Sequence, residues 1–238
     1  MKRKITIVML VGLIASLSLA ACAEPVNPYW LRIRDGFPNQ ATVLEQVYEK
    51  EDDTVYIRAS IPRIWGVGNL EWQDRVNREI AEGVNAFVDD IVDSAAEAKA
   101  MFEQEEWDHF IPYVGQVDYD VKLNRGGLLS LTLTFYQYTG GAHGMTHVEV
   151  LNFDLTTGYS LEFDDLFPTD SDKEMVVAVI NEQISQSPEW FFIPEFDQSM
   201  FQPEQSFYLQ EGEVVTYFSL YEISPYAAGI PEFTISVP

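Results

Sequence analysis

The sequence predicts an α+β domain of mostly antiparallel sheet with two main helices, in an order that allows two βαβ-like lobes. Apolar residues recur at spacings of three and four from Trp72 to Val92, the period of one buried helix face. The period then drops to two from Val117 to Tyr136, as a half-buried strand requires. Glycine pairs at Gly126-Gly127 and Gly140-Gly141 stand where hairpin turns would close.

The elements follow in chain order. Val43–Tyr48 and Thr54–Ile61 read as strands around the acidic turn Glu51-Asp52-Asp53. Asn69 can cap the first helix, whose inner face carries Trp72, Val76, Ile80, Val84, Phe87, Val88, Ile91 and Val92. Alanine and glutamate let it run on from Ala95 to Glu106, where the apolar stripe thins. Val117, Tyr119, Val121 and Leu123 then alternate on one face, Asn124–Gly127 turns, and Leu129–Tyr136 returns. Thr146–Asp154 gives another strand, closed by Thr156-Thr157-Gly158. Asp170 or Ser171 caps the second helix, with Glu174 in its first turn. Its inner face carries Met175, Val176, Val179, Ile180 and Ile184. Phe207–Leu209, Val214–Tyr221 and Phe233–Val237 finish as strands. The expected division is a proline-marked tether over 22–41, an N-terminal lobe over 42–145 and a C-terminal lobe over 146–238.

Residues 1–21 have the make-up of a secretory signal. Lys2, Arg3 and Lys4 precede an apolar run that closes on Leu19-Ala20-Ala21. Cys22 directly after Leu-Ala-Ala resembles the bacterial lipobox, which makes Cys22 the expected lipid anchor of an extracytoplasmic membrane lipoprotein. An uncleaved anchor helix is the other reading of this run. Both place the domain outside the cytoplasm. Cys22 is the only cysteine, so the domain is expected to be held by its core rather than by disulfides. Lysine and arginine number 14 against 38 aspartates and glutamates. Loss of residues 1–21 would take the net charge from −24 to −27. Such a surface excludes nucleic acid as a partner and favours cationic ones.

Several blocks carry a family resemblance. They are Tyr138-Thr139-Gly140-Gly141-Ala142-His143-Gly144, Asn152–Gly158, Asp165-Leu166-Phe167, Phe207-Tyr208-Leu209, and Tyr221-Glu222-Ile223-Ser224-Pro225-Tyr226-Ala227-Ala228-Gly229. In this order they are similar to the extracytoplasmic domain of RsiV-type anti-sigma factors, which also precedes the catalytic domain of PdaC-type peptidoglycan deacetylases. The resemblance runs from about Val43 to Val237. It implies a domain that binds lysozyme outside the cell, and an acidic surface suits so basic a partner. Only Met1–Lys4 precede the apolar run, and no deacetylase domain follows Pro238. Neither sigma-factor control nor deacetylation is therefore expected.

The candidate binding residues are Tyr138, His143, His147, Trp190, Tyr221, Glu222 and Tyr226. His143 and His147 are spaced as metal ligands would be on a helix. Here they flank a strand start, where four residues span roughly 13 Å, and no third ligand is placed. The acidic run Asp164 to Asp172 lacks the turn glycine and distal glutamate of a calcium loop. No nucleophile elbow or cofactor fingerprint is present, so no catalytic residue, metal or cofactor is assigned. Trp190-Phe191-Phe192 cannot all face one core, so at least one should project outward. The reading that results is a lipid-anchored envelope protein that binds a cationic, lysozyme-like protein or peptidoglycan. The alternative is a hydrolase or deacetylase acting on peptidoglycan through the His143 loop.

Overall fold

The computed structural model describes residues 26–39, 41–105 and 109–237. The signal segment 1–21 and the Cys22 anchor lie outside the described residues.

The stretch expected to be a tether folds instead. Pro28–Asp35 forms helix α1, opened by Asn27, whose Oδ1 accepts from the Tyr29 N–H at 2.9 Å. Pro28 sits at the first helical position, where its missing N–H costs nothing. Trp30 and Ile33 anchor the helix in the core, Ile33 fully buried. Two anchors on an eight-residue helix leave no periodic signature, and Pro25, Pro28 and Pro38 mimic a linker.

The expected hairpin forms from strands β1 (Thr42–Glu51) and β2 (Val55–Trp65). Helix α2 (Leu70–Gln104) follows, with the Asn69 side chain accepting from the Trp72 N–H at 3.0 Å. Trp72, Val76, Ile80, Val84, Val88 and Ile91 are buried on the sheet, and Phe87 and Val92 are partly so. Asn77, buried on the same face, clamps helix to sheet. Its side chain accepts from the Ile64 N–H at 2.7 Å and donates to the Ile64 carbonyl at 2.8 Å.

α2 returns the chain to β3 (Tyr113–Arg125), parallel to β2. Strands β4 (Leu128–Tyr138), β5 (Met145–Asp154) and β6 (Tyr159–Ser160) extend the sheet by antiparallel hairpins, giving the order β1-β2-β3-β4-β5-β6. The sheet crosses the expected 145/146 division, because β5 pairs with β4 along its whole length. Gly126 (φ 62°) and Gly127 (φ 73°) close the β3–β4 turn. Val117 and Leu123 do not share a face, contrary to expectation. A register shift between Val121 and Leu123 turns Leu123 to the other side of the sheet, where it joins a second core with Leu128.

That second core is built by the C-terminal part. Helix α3 (Phe163–Leu166) leads to α4 (Asp170–Gln186), whose cap is Thr169 rather than Asp170 or Ser171. Thr169 Oγ1 accepts from the Asp172 N–H at 3.1 Å, and Asp172 accepts from the Thr169 N–H at 3.0 Å. Val176, Ile180 and Ile184 of α4 pack with Phe207, Leu209, Val214, Phe233 and Ile235 of a three-stranded antiparallel sheet. Its strands are β7 (Phe207–Gln210), β8 (Glu213–Tyr217) and β9 (Glu232–Ser236). β7 pairs with β8 and not with a strand before α4, so the second expected βαβ lobe does not form. β8 ends at Tyr217, short of the expected Tyr221.

Buried polar groups stitch the two sheets together. Ser130 Oγ donates to Asn152 Oδ1 at 2.7 Å and accepts from the Leu209 N–H at 3.0 Å. Asn152 Nδ2 donates to the Phe207 carbonyl at 2.8 Å. Tyr208, Val215 and Tyr217 pack over Val148 and Val150 of β5.

Candidate functional site

The β4–β5 connection can fold back because Gly140 (φ 96°) and Gly141 (φ 93°) take backbone conformations that disfavour side chains. Tyr138, at the end of β4, ties the loop by donating its hydroxyl to the Gly141 carbonyl at 3.0 Å. Gly144 closes it against the Tyr136 ring, where a Cβ would come within 2.4 Å of a ring carbon. His143 stands exposed between these fixed points.

A second loop meets it from the C-terminal part. After β8 the chain turns through Ser219–Glu222, where the Glu222 carboxylate accepts from the Ser219 N–H at 2.8 Å. Tyr221 has φ 67°, the only non-glycine positive φ among the described residues. A side chain held there marks a position that the fold over-determines. Pro225 then leads into a tight turn over Tyr226–Ala228. Tyr226 donates its hydroxyl to the Gly144 carbonyl at 3.0 Å, and its ring stacks on His143 with centroids 4.0 Å apart and planes at 21°. Tyr221 leans on Tyr226 at 5.8 Å, and its hydroxyl lies 3.5 Å from His143 Nε2. His143 Nδ1 is 2.9 Å from the Gly144 carbonyl, so it must be the protonated nitrogen, leaving Nε2 to face Tyr221.

The structure thus joins His143, Tyr221 and Tyr226 in one outward-facing cluster, and Tyr138 ties the loop that carries His143. Glu222 supports its turn. His147 stands apart on the α2 side of the sheet, beside Phe135, with Nε2 3.6 Å from Glu149. The Glu149 carboxylate raises its pKa, opposed by partial burial. Among the described residues no three His, Cys, Asp or Glu side chains are grouped to hold a metal. In the acidic run, Asp165 and Asp172 cap α3 and α4, and Asp164 pairs with Lys173 at 2.8 Å. Trp190 lies on the far side of the Tyr226 turn. It lines a groove of about 410 Å³ with Phe191, Ala227, Ile230 and Pro231. Trp190 and Phe192 project outward, 45% and 60% exposed, while Phe191 packs on Phe233.

Two residues of the cluster escaped the sequence reading. Gly144 supplies the carbonyl on which His143 and Tyr226 converge, and Tyr136 sets its position. A glycine beside a histidine carries no signal for this. The contact it organises joins residues 82 apart in the chain.

Comparison with known families divides the chain at this cluster. Residues 48–146 match the family model described as Deacetylase PdaC, and residues 164–237 match Protein of unknown function (DUF3298). The chain is thus similar to PdaC over one segment and to DUF3298 over the next. His143 falls in the stretch that matches PdaC, while Tyr221 and Tyr226 fall in the stretch that matches DUF3298. A crystal structure of a DUF3298 family member from Bacteroides fragilis has the same fold, with TM-score 0.63 and 17% identity over 85% of this chain and 92% of that one. A DUF3298 family structure from Pseudomonas aeruginosa aligns with TM-score 0.49 and 17% identity over 87% of this chain and 92% of that one. Among curated proteins none matches the chain.

Proposed function

We propose that this PdaC/DUF3298 chain is a non-enzymatic binding protein of the cell envelope, held to the membrane through Cys22. It captures a cationic, lysozyme-like protein at the rim formed by His143, Tyr221 and Tyr226. The observation that carries this reading is the His143–Tyr226–Tyr221 stack. His143 and Tyr226 are fixed on the Gly144 carbonyl, and His143 and Tyr221 are left open to solvent, as recognition aromatics are. Tyr221 holds a strained conformation without serving the core, being 48% exposed. A net charge of −24 favours a basic partner and speeds its approach.

The stack favours binding over catalysis. A general base needs an orienting partner and a free nitrogen facing substrate. His143 has an orienting carbonyl at Nδ1, but the Tyr221 hydroxyl lies 3.5 Å from Nε2, where a base would meet its substrate. Peptidoglycan is the second ligand class that the geometry favours, because the exposed Trp190 borders a groove beside the same turn.

The test is a calorimetric titration of the full chain in detergent with a cationic lysozyme, at low and at tenfold higher salt. Association should weaken with salt, and Tyr226→Ala should weaken it about tenfold or more at low salt. Absence of heat at low ionic strength would remove the lysozyme-like partner. Parallel titration with purified peptidoglycan fragments decides the second class.

A further inference from the structure

Among the described residues, the β5 edge of the six-stranded sheet has no partner strand over most of its length. In β5 the even-numbered residues turn their backbone groups away from β4. The Val148 carbonyl accepts from the Tyr217 hydroxyl at 3.1 Å, and the Asn152 carbonyl accepts from the Leu161 N–H at 2.8 Å. β6 pairs with β5 only at Phe153 and Asp154. Among the described residues no strand pairs with this edge from Met145 to Leu151. The Val148 N–H and both backbone groups of Val150 therefore face outward as an open ladder.

Exposed edges are normally blunted by bulges, prolines or lysines. β1, at the opposite edge, carries Glu45, Glu49, Lys50 and Glu51. Met145-Thr146-His147-Val148-Glu149-Val150-Leu151 has no lysine or proline, and its register against β4 is unbroken.

Two hollows flank this edge. On the α2 side a furrow of about 390 Å³ is lined by Gly83, Phe87, Phe135, His147 and Glu149. A smaller hollow continues it past Leu151. Gly83 keeps the furrow wide, since a Cβ there would meet nothing within 4 Å. Along the edge itself runs a groove of about 690 Å³, lined by His147 and Glu149 as well as Val148 and Val150, and by Glu162, Glu204 and Tyr217. An added strand would lie in the groove along the edge and send every second side chain toward the α2-side furrow.

We propose that the outer edge of β5, Met145–Leu151, takes an extended basic peptide as an additional strand. Backbone hydrogen bonds to Val148 and Val150 hold it, apolar residues fill the furrow over Phe135, and lysines or arginines meet the acidic groove. Charge selects this occupant. Glu149, Glu162 and Glu204 rim the hollows, whereas a second copy would bring a further net charge of −24 to the same edge. The inference stands apart from the aromatic stack, because neither hollow includes His143 or Tyr226.

The test uses the full chain and a fluorescently labelled decapeptide of alternating lysine and valine, read by anisotropy. Two further peptides are N-methylated, one at every odd position and one at every even position. One methylated peptide should bind at least tenfold more weakly than the parent, and the other should match it, because only one edge of the peptide faces β5. Val150→Pro should weaken the parent peptide at least tenfold while leaving the β4–β5 ladder intact, since its N–H points away from β4. If that variant does not fold, the methylated pair still decides. Tyr226→Ala should bind the peptide as the native chain does, which separates this edge from the lysozyme-like reading. No binding of the parent, equal binding of both methylated peptides, or sedimentation showing that the edge pairs two copies would overturn the proposal.

Discussion

Arg32 of α1 grips Asp154 at the end of β5 with two parallel bonds, Nη1 to Oδ2 and Nη2 to Oδ1, each 2.8 Å long. The pair joins the N-terminal helix to the sheet, and the Asp154 side chain is only 5% exposed. The same arginine donates Nε–H to the Gly126 carbonyl at 2.7 Å.

This pair makes stability fall in acid. The Arg32 guanidinium holds the Asp154 carboxyl down at about 2, against the cost of burial. A depressed carboxyl stabilises the fold fully above its unfolded value near 4 and loses that contribution as pH falls toward 2. Asp154→Asn should cost about 2 kcal/mol at pH 7, with the gap to the native chain closing between about pH 5 and 2. Urea unfolding across that range measures it.

The Asn77 clamp should be costlier to remove. Asn77→Leu would leave the Ile64 N–H and carbonyl buried without their side-chain partner, a loss of about 2–4 kcal/mol. Thermal unfolding gives the size, and faster hydrogen exchange at the Ile64 amide gives the place.

Tyr221 should show the reverse of ordinary substitution behaviour. Tyr221→Gly removes a ring but releases a left-handed residue, so its net effect should stay within about 0.5 kcal/mol. Tyr221→Val keeps a side chain and adds β-branching at the same φ, and should cost more than about 1 kcal/mol. Denaturation midpoints of the two variants decide. A valine variant as stable as the glycine one would refute the strain.

The β3–β4 turn is equally intolerant of side chains. A Cβ on Gly126 would lie 2.3 Å from the Arg32 carbonyl oxygen, at a φ of 62°. Gly126→Ala should cost at least about 1–3 kcal/mol, and should loosen α1 first, seen as faster exchange at the Trp30 and Ile33 amides.

Much of this architecture was legible in the residues. The stripe Trp72-Val76-Ile80-Val84-Val88-Ile91 and the Asn69 cap mark α2 because one long helix face meets one core. The Leu129–Tyr136 alternation marks β4 because only one side of that strand faces α2. The β-bulge at Leu123 was hidden, since an inserted residue leaves the alternation intact on paper while reversing the face in space. α1 was hidden because it has only two buried side chains and opens on Pro28 between Pro25 and Pro38. At the candidate site, His143, Tyr221 and Tyr226 were each visible as odd residues in glycine- or proline-bounded turns. Their stacking was not visible, because sequence spacing says nothing about contacts between distant loops.

The bond between Ser130 and the Leu209 N–H binds the fate of the matched segments together. Cutting the chain between them would leave the Leu209 N–H, the Phe207 carbonyl and the Asn152 amide buried in an interface with nothing opposite. Neither half is therefore a portable module. Heating should melt both in one calorimetric step, and an evolutionary exchange of either segment would have to carry its counterpart along.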